Sequence, residues 1–318
     1  MTSYPDRRYY ARVARESGFG ASVLERVYRL AAVLDELGVA KGGELLLRGG
    51  TALNLLHLAA PRLSVDLDLD YVGAADAAQA KRRRPELLHE IERLAVEAGY
   101  HVEHMRPSYA MAHLLLRYQN VSGRGEPIKL DINFLDRVPV LEPIVLPLRH
   151  PFGDELPTPE VTTLALSELT ASKIVALARR GIARDLFDVA QLSRLPHLDH
   201  ETVRIALVVR GAAYPPPSPE DYSSDAGLRV RPSEWRSQVV ALTQRDQLVH
   251  LPDAQSDAAG LLRRVLNLRA AERRFLHRLD EGVLDADLLE APGLAARART
   301  NPGLLWRVQQ GAAELEER

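Results

Sequence analysis

Between residues 21 and 37, apolar side chains recur at Val23, Leu24, Val27, Leu30 and Leu34. That three-to-four spacing predicts an amphipathic helix, with Gly38 as its stop. The pattern then changes period. Residues 44–48 read as the first central strand, and residues 64–71 as its antiparallel or neighbouring partner. Pro85 suits the first turn of a helix running to about Ala98, with Leu87, Leu88, Ile91, Leu94 and Val96 apolar and Gly99 ending it. Strands are expected near 101–104, 110–118 and 128–134. Residues 138–148 carry Pro139, Pro143 and Pro147, which favours an extended edge segment. From Leu164 onward the pattern is helical: one helix over 164–180 ended by Gly181, a second over 184–192, and further helices beyond the proline-rich loop at 214–219. The predicted architecture is α+β. A small mixed β-sheet flanked by helices fills residues 1–160, and an α-helical C-terminal domain fills 161–318.

Composition narrows the class. A chain of 318 residues, 46% hydrophobic and 26% charged, suits two soluble domains with a core each. The absence of cysteine excludes disulfides, thiolate metal sites and cysteine nucleophiles. No run of about 18 apolar residues exists to cross a membrane. The first 15 residues hold four arginines but no apolar core, unlike a signal peptide, so a cytoplasmic protein is expected. Net charge is only −2, yet ten arginines face five acids between Arg229 and Arg278. That surplus could hold RNA phosphates, and could equally be the solvated outside of a helical bundle.

The densest chemistry lies between Gly49 and Asp70. In a strand, Asp66, Asp68 and Asp70 share one face while Leu67 and Leu69 share the other. Aspartate is a poor strand former and like charges on one face repel, so the pattern points to a divalent cation between them. Asp66 and Asp68 are the expected metal pair, and Asp70 is read as the strand's end. Just upstream, Gly49-Gly50-Thr51 sits between an apolar strand and a short helical run, where backbone N–H groups can hold phosphate. Mg²⁺ prefers one or two carboxylates plus its substrate's phosphates, so cradle and metal pair suit one nucleotide. A third carboxylate is expected from the alternating segment 128–134, where Asp131 is the candidate. Farther on, Lys173 and Arg180 share a helix face, and Asp185 and Asp188 share a face of the next helix. A lysine there can supply charge near a triphosphate, with Asp188 orienting it or handling a proton. No His-Glu-x-x-His, Gly-x-Ser-x-Gly or P-loop lysine motif is present.

Taken together, Gly49-Gly50-Thr51-Ala52-Leu53, Leu63-Ser64-Val65-Asp66-Leu67-Asp68-Leu69 and Lys173…Arg184-Asp185-Leu186-Phe187-Asp188 resemble the AbiEii-type nucleotidyltransferase toxins, within the polymerase-beta-like nucleotidyltransferase superfamily. The resemblance extends to Glu272–Leu276 and to Asn301–Trp306. It implies a toxin of a two-gene toxin–antitoxin or phage-abortive system, with a cognate antitoxin protein as partner. Family members use NTP and Mg²⁺ (Mn²⁺ is the alternative ion), and some extend the 3′ end of tRNA, blocking aminoacylation. By motif, the resemblance makes Asp66, Lys173 and Asp188 catalytic and gives Asp66, Asp68 and, more loosely, Asp131 to the metal. It assigns Gly49, Gly50, Thr51, Ser64, Arg180 and Arg184 to the nucleotide. Modification of a protein or small molecule, and a catalytically silent nucleotide- or partner-binding module, are the competing readings. The intact Asp66/Asp68 pair and Lys173 argue against the silent one.

Overall fold

The computed structural model describes residues 4–37, 43–106, 108, 110–156, 158–245 and 247–316. Packing divides the chain into two compact units. One comprises Met1–Arg137, Pro143–Thr163 and Val240–Leu248, the other Val138–Glu142, Leu164–Val239 and Val249–Arg318.

The first unit is built on a seven-stranded mixed sheet, in the order β3-β4-β5-β2-β1-β7-β6. Its strands are β1 (Leu45–Arg48), β2 (Asp66–Tyr71), β3 (His101–His104), β4 (Met111–Gln119), β5 (Gly125–Asn133), β6 (Ile144–Pro147) and β7 (Glu160–Thr163). Strand β2 pairs antiparallel with β1 and parallel with β5, while β1 pairs parallel with β7. The proline-bearing β6 lies at an edge, where a missing N–H disrupts no second ladder. Leu67 and Leu69 are fully buried, as are Leu46, Leu47, Leu130 and Ile132 on the neighbouring strands. This apolar packing fixes β2's register, because a one-residue slip would drive the aspartates into the core.

Three helices flank this sheet. Helix α1 (Arg7–Ser17) was not anticipated by the apolar pattern; Asp6 caps it by accepting from the Arg8 and Tyr9 N–H groups. Helix α2 (Ala21–Glu36) matches the predicted span, and the expected stop at Gly38 lies outside the described residues. Helix α4 (Ala77–Glu97) begins eight residues before the expected start at Pro85. The Asp76 side chain caps it by accepting from Gln79 N–H, and Pro85 falls inside the helix instead of in its first turn. Val96, expected on the apolar face, is exposed; Ala80, Leu87, Ile91 and Ala95 form the buried stripe. Between β1 and β2 the chain forms α3 (Gly49–Ala52), continued by a π-helical turn over Leu53–His57. Residues 240–248 return to this unit: Leu63 N–H donates to the Leu242 carbonyl at 2.8 Å, and Gln244 Nε2 donates to the Ser17 carbonyl.

The second unit is helical. It contains α5 (Leu166–Arg180), α6 (Ala183–Ser193), α7 (His200–Ala212), α8 (Pro232–Gln238), α9 (Leu251–Val265), α10 (Ala270–Asp280), α11 (Pro292–Ala298) and α12 (Pro302–Glu316). Helix α5 ends at Gly181, whose left-handed backbone (φ 59°) lets its N–H bond back to the Leu177 carbonyl. Buried Glu168 accepts from the Val140 and Leu141 N–H groups and so anchors residues 138–142 to this unit. The arginine surplus of 229–278 is partly neutralised at its surface: Arg231 pairs with Glu234, Arg269 with Glu201 and Arg278 with Glu281.

Candidate active site

In the sheet unit, the turn leaving β1 and the acidic strand β2 are packed atom to atom. Gly49 has φ 74°, a left-handed conformation that side-chain-bearing residues adopt at a cost. A Cβ placed there would lie 2.2 Å from Asp68 Oδ2, so only glycine leaves that carboxylate its position. At Gly50 a Cβ would come within 3.0 Å of both Ser64 Oγ and Arg62 Nη2. Thr51 is fully buried, and its hydroxyl donates to the Asp66 carbonyl, tying the turn to the first residue of β2. The Thr51 side chain therefore braces the acidic strand. Ser64 is buried beside Gly50, two residues ahead of Asp66.

The three aspartates of β2 end in different surroundings. Asp66 and Asp68 are partly exposed, whereas Asp70 is buried. Asp70 pairs with Arg48 at 2.8 Å and accepts from Asn133 Nδ2 at 3.0 Å, which makes it a bracket joining β1, β2 and β5. Among the described residues, the Asp68 carboxylate forms no hydrogen bond or ion pair. An uncompensated carboxylate against a glycine-only turn, beside a second carboxylate on the same face, is a donor set that suits Mg²⁺ completed by substrate phosphates.

Asp131 lies directly across from Asp68 in the parallel β2–β5 register. Like charges so placed repel, and the chain itself compensates Asp131. His113 Nδ1 lies 2.7 Å from Asp131 Oδ1, and Lys129 Nζ donates to Oδ2 at 2.6 Å. Among the described residues, no three His, Cys, Asp or Glu side chains converge as a metal cage. Asp131, expected as a third metal carboxylate, thus lies beside the pair with Lys129 and His113 as its side-chain partners.

The helical unit carries the second cluster. The tight turn at Gly181 folds α6 back so that Lys173 Nζ meets Asp188 Oδ2 at 2.7 Å and Asp185 Oδ1 at 3.4 Å. Arg180 binds Asp185 with both Nε (2.6 Å) and Nη2 (3.0 Å). Lys173 is 6% exposed, Asp185 1% and Asp188 0%, whereas the Arg180 side chain is 57% exposed. Two buried carboxylates thus fix one buried ammonium, and Arg180 balances the remaining charge from the surface. Arg184 lies partly exposed in the first turn of α6. The structure brings together Gly49, Gly50, Thr51, Ser64, Asp66, Asp68 and Asp131 in the sheet unit, and Lys173, Arg180, Asp185 and Asp188 in the helical unit.

Sequence reasoning passed over three residues here. Arg62 is 2% exposed with its guanidinium against Gly50, and its only sequence signal is a position two before Ser64 on the same alternation. His113 and Lys129 acquire their role from strand register, which no local motif encodes.

The family model of the nucleotidyl transferase AbiEii toxins, a type IV toxin–antitoxin system, matches residues 33–290. Among solved structures, the chain is similar to MenT4, a nucleotidyltransferase toxin from Mycobacterium tuberculosis H37Rv, at TM-score 0.64 and 21% identity. That match covers 91% of this chain and 98% of MenT4. A chain from H. pylori assigned as a nucleotidyltransferase aligns at TM-score 0.48 and 17% identity, over 78% of this chain and 96% of its own; it is too remote to inform the fold. No curated protein matches.

Proposed function

The chain belongs to the nucleotidyl transferase AbiEii toxin family of type IV toxin–antitoxin systems, and is an NTP-dependent nucleotidyltransferase. From that premise we propose that it transfers NMP from NTP to an RNA acceptor, the tRNA 3′ end foremost, and so blocks translation in the cytoplasm until a cognate antitoxin restrains it. The observation that carries the reading is the uncompensated Asp68 carboxylate beside Asp66, lodged against a turn whose shape only glycine permits.

Asp66 and Asp68 are the residues that would hold Mg²⁺. The ion supplies neutralisation of triphosphate charge and a more acidic acceptor hydroxyl. The backbone N–H groups of the Gly49-Gly50-Thr51 turn bind phosphate oxygens, and Thr51 keeps that turn in register with the acidic strand. Lys173, fixed by Asp188 and Asp185, is assigned to the same reaction as a pre-oriented cation for the charge that develops on the phosphates. Arg180 and Arg184 add positive charge at the exposed end of that cluster. In the transfer itself, an acceptor hydroxyl oxygen bonds to the α-phosphorus as its proton passes to water, the bond from the α-phosphorus to the bridging oxygen breaks, and pyrophosphate leaves with that electron pair. Asp131, clamped by His113 and Lys129, stands next to Asp68 to orient the acceptor side.

The test is direct. The protein is incubated with each α-labelled NTP, Mg²⁺, and either total RNA or a protein extract. Label on RNA that is lost in Asp66→Ala and in Lys173→Ala supports the proposal; label only on protein, or none with any acceptor, defeats it.

A further inference from the structure

The sheet face that carries Asp66 and Asp68 continues past Asp131 onto β4. Strand register lays out a single row there: Asp68 on β2 lies opposite Asp131 on β5, and Asp131 lies opposite His113 on β4. Residues directly opposite share a face, so His113 stands on the face of the acidic pair. On β4 the side chains of the other parity, Ala112, Leu114 and Leu116, are buried, whereas Met111, His113 and Leu115 are half-buried. The acidic face is thus the open one at β4.

The two ring nitrogens of His113 differ. Nδ1 lies 2.7 Å from Asp131 Oδ1, and a carboxylate only accepts, so Nδ1 carries a proton and donates. Nε2 forms no hydrogen bond or ion pair among the described residues, and the side chain is 29% exposed. With Nδ1 anchored, the ring is fixed in orientation and Nε2 is a polar atom held ready on the open face.

Charge selects the group that Nε2 meets. Lys129 donates to Asp131 Oδ2 at 2.6 Å, which leaves that pair neutral, and the Asp68 carboxylate next along the row has no ion pair among the described residues. The row is net negative and disfavours a phosphate at Nε2. A hydroxyl is the complementary partner, because it both donates and accepts and so pairs with Nε2 whether or not that nitrogen holds a proton. Position selects which hydroxyl. The phosphate-holding turn leaves β1, on one flank of β2, so the β5–β4 flank is the side left to the acceptor. Two strand spacings, about 10 Å, separate the Cα atoms of Asp68 and His113, and the ring drawn toward Asp131 narrows that gap. A ribose whose 3′-hydroxyl is at the acidic pair carries a second hydroxyl on the adjacent ring carbon, the nearest polar group of the acceptor along this row.

We propose that His113 Nε2 hydrogen-bonds the 2′-hydroxyl of the acceptor's terminal ribose, and that His113 is the residue by which the enzyme prefers an RNA end to a DNA end. This rests on the RNA-acceptor reading and extends it from the kind of chain to the sugar at its end.

The experiment compares a tRNA transcript with its twin bearing a single 2′-deoxyribose at the 3′-terminal residue. Each is incubated with the full-length protein, Mg²⁺ and α-labelled NTP, and kcat/KM is measured for both ends. The wild-type protein should favour the ribose end about tenfold, the worth of one hydrogen bond. His113→Asn keeps an amide N–H where Nδ1 donates to Asp131 but has no atom at the Nε2 position; His113→Phe keeps a ring and loses both nitrogens. In each variant the preference should fall to within about twofold of unity. The ratio cancels the fraction of folded protein, so a variant that folds poorly still reports. A role confined to holding Asp131 would slow both ends equally and leave the ratio at the wild-type value. That result in either variant overturns the proposal, and so does a wild-type ratio near one. A preference that changes between NTP and 2′-deoxy-NTP in the variants also overturns it, since His113 would then face the nucleotide. If the wild-type protein labels neither the tRNA nor total RNA, the acceptor reading itself fails. If it labels RNA and the ratio persists in the variants, only the role of His113 fails.

Discussion

Replacing Gly49 by alanine adds one methyl group and probes the acidic pair without touching either aspartate. At φ 74°, a side-chain-bearing residue costs about 1–2 kcal/mol over glycine. The added Cβ would stand 2.2 Å from Asp68 Oδ2, where real contacts begin near 3.0 Å, so the carboxylate must retreat by roughly 1 Å. Because no partner pins it, it retreats by rotation, at about 0.5–1.5 kcal/mol for an off-rotamer side chain. Gly49→Ala should therefore lose about 2 kcal/mol of stability, a loss most domains survive. Misplacing a metal-holding group by about 1 Å should reduce transfer by about 100-fold. Gly99→Ala is the control. Its φ is 90°, and a Cβ there meets nothing within 4 Å, so it carries the backbone strain without the collision. Urea unfolding gives the stability change, and label transfer from NTP at saturating Mg²⁺ gives activity. The reasoning fails if Gly49→Ala retains activity within about threefold of Gly99→Ala, because Asp68 would then not be where the chemistry is held.

Three further outcomes follow from the same geometry. Lys173→Ala leaves Asp185 and Asp188 buried and opposed, and should cost about 3–5 kcal/mol in urea unfolding; the double variant Lys173→Met/Asp188→Leu should regain much of that stability while remaining inactive. Thr51→Val removes the donor to the Asp66 carbonyl inside the fold, and should cost about 1–3 kcal/mol with a fall in kcat larger than any change in KM for NTP. Burial raises the pKa of Tyr10 and Tyr100, and raises those of Tyr9 and Tyr118 to about 12. A raised tyrosine pKa gives stability that is full below the unfolded value of about 10 and is lost as pH climbs toward 12. Tyrosinate absorbance and circular dichroism should thus change together above pH 10, and tyrosinate forming near pH 10 in a folded protein would contradict this.

The parts of this molecule readable from sequence are those that one element encodes. Alternation alone puts Asp66 and Asp68 on one face, because a strand has period two whatever it pairs with. Helical spacing and the Gly181 stop likewise announce the meeting of Lys173 with Asp188, since both residues flank one tight turn. What escaped needed a second element. Asp70, read from sequence as the strand's end, gains its bracketing role only when the β1–β2 register brings Arg48 beside it, and Asp131 gains His113 only from β4. The early start of α4 was masked because Pro85 signals a first turn more loudly than Asp76 signals a cap. The return of residues 240–248 to the sheet unit rests on backbone bonds to Leu63 and Gly18, which no local pattern foretells.

Direct sequencing of RNA 3′ ends tests the central claim most closely. After incubation with NTP and Mg²⁺, the wild-type protein should leave untemplated nucleotides on a discrete set of RNAs, tRNAs foremost. Asp68→Asn and Lys173→Met should leave those ends unchanged. Unaltered RNA ends with the wild-type protein, while label from the same NTP accumulates on a protein, would contradict the account.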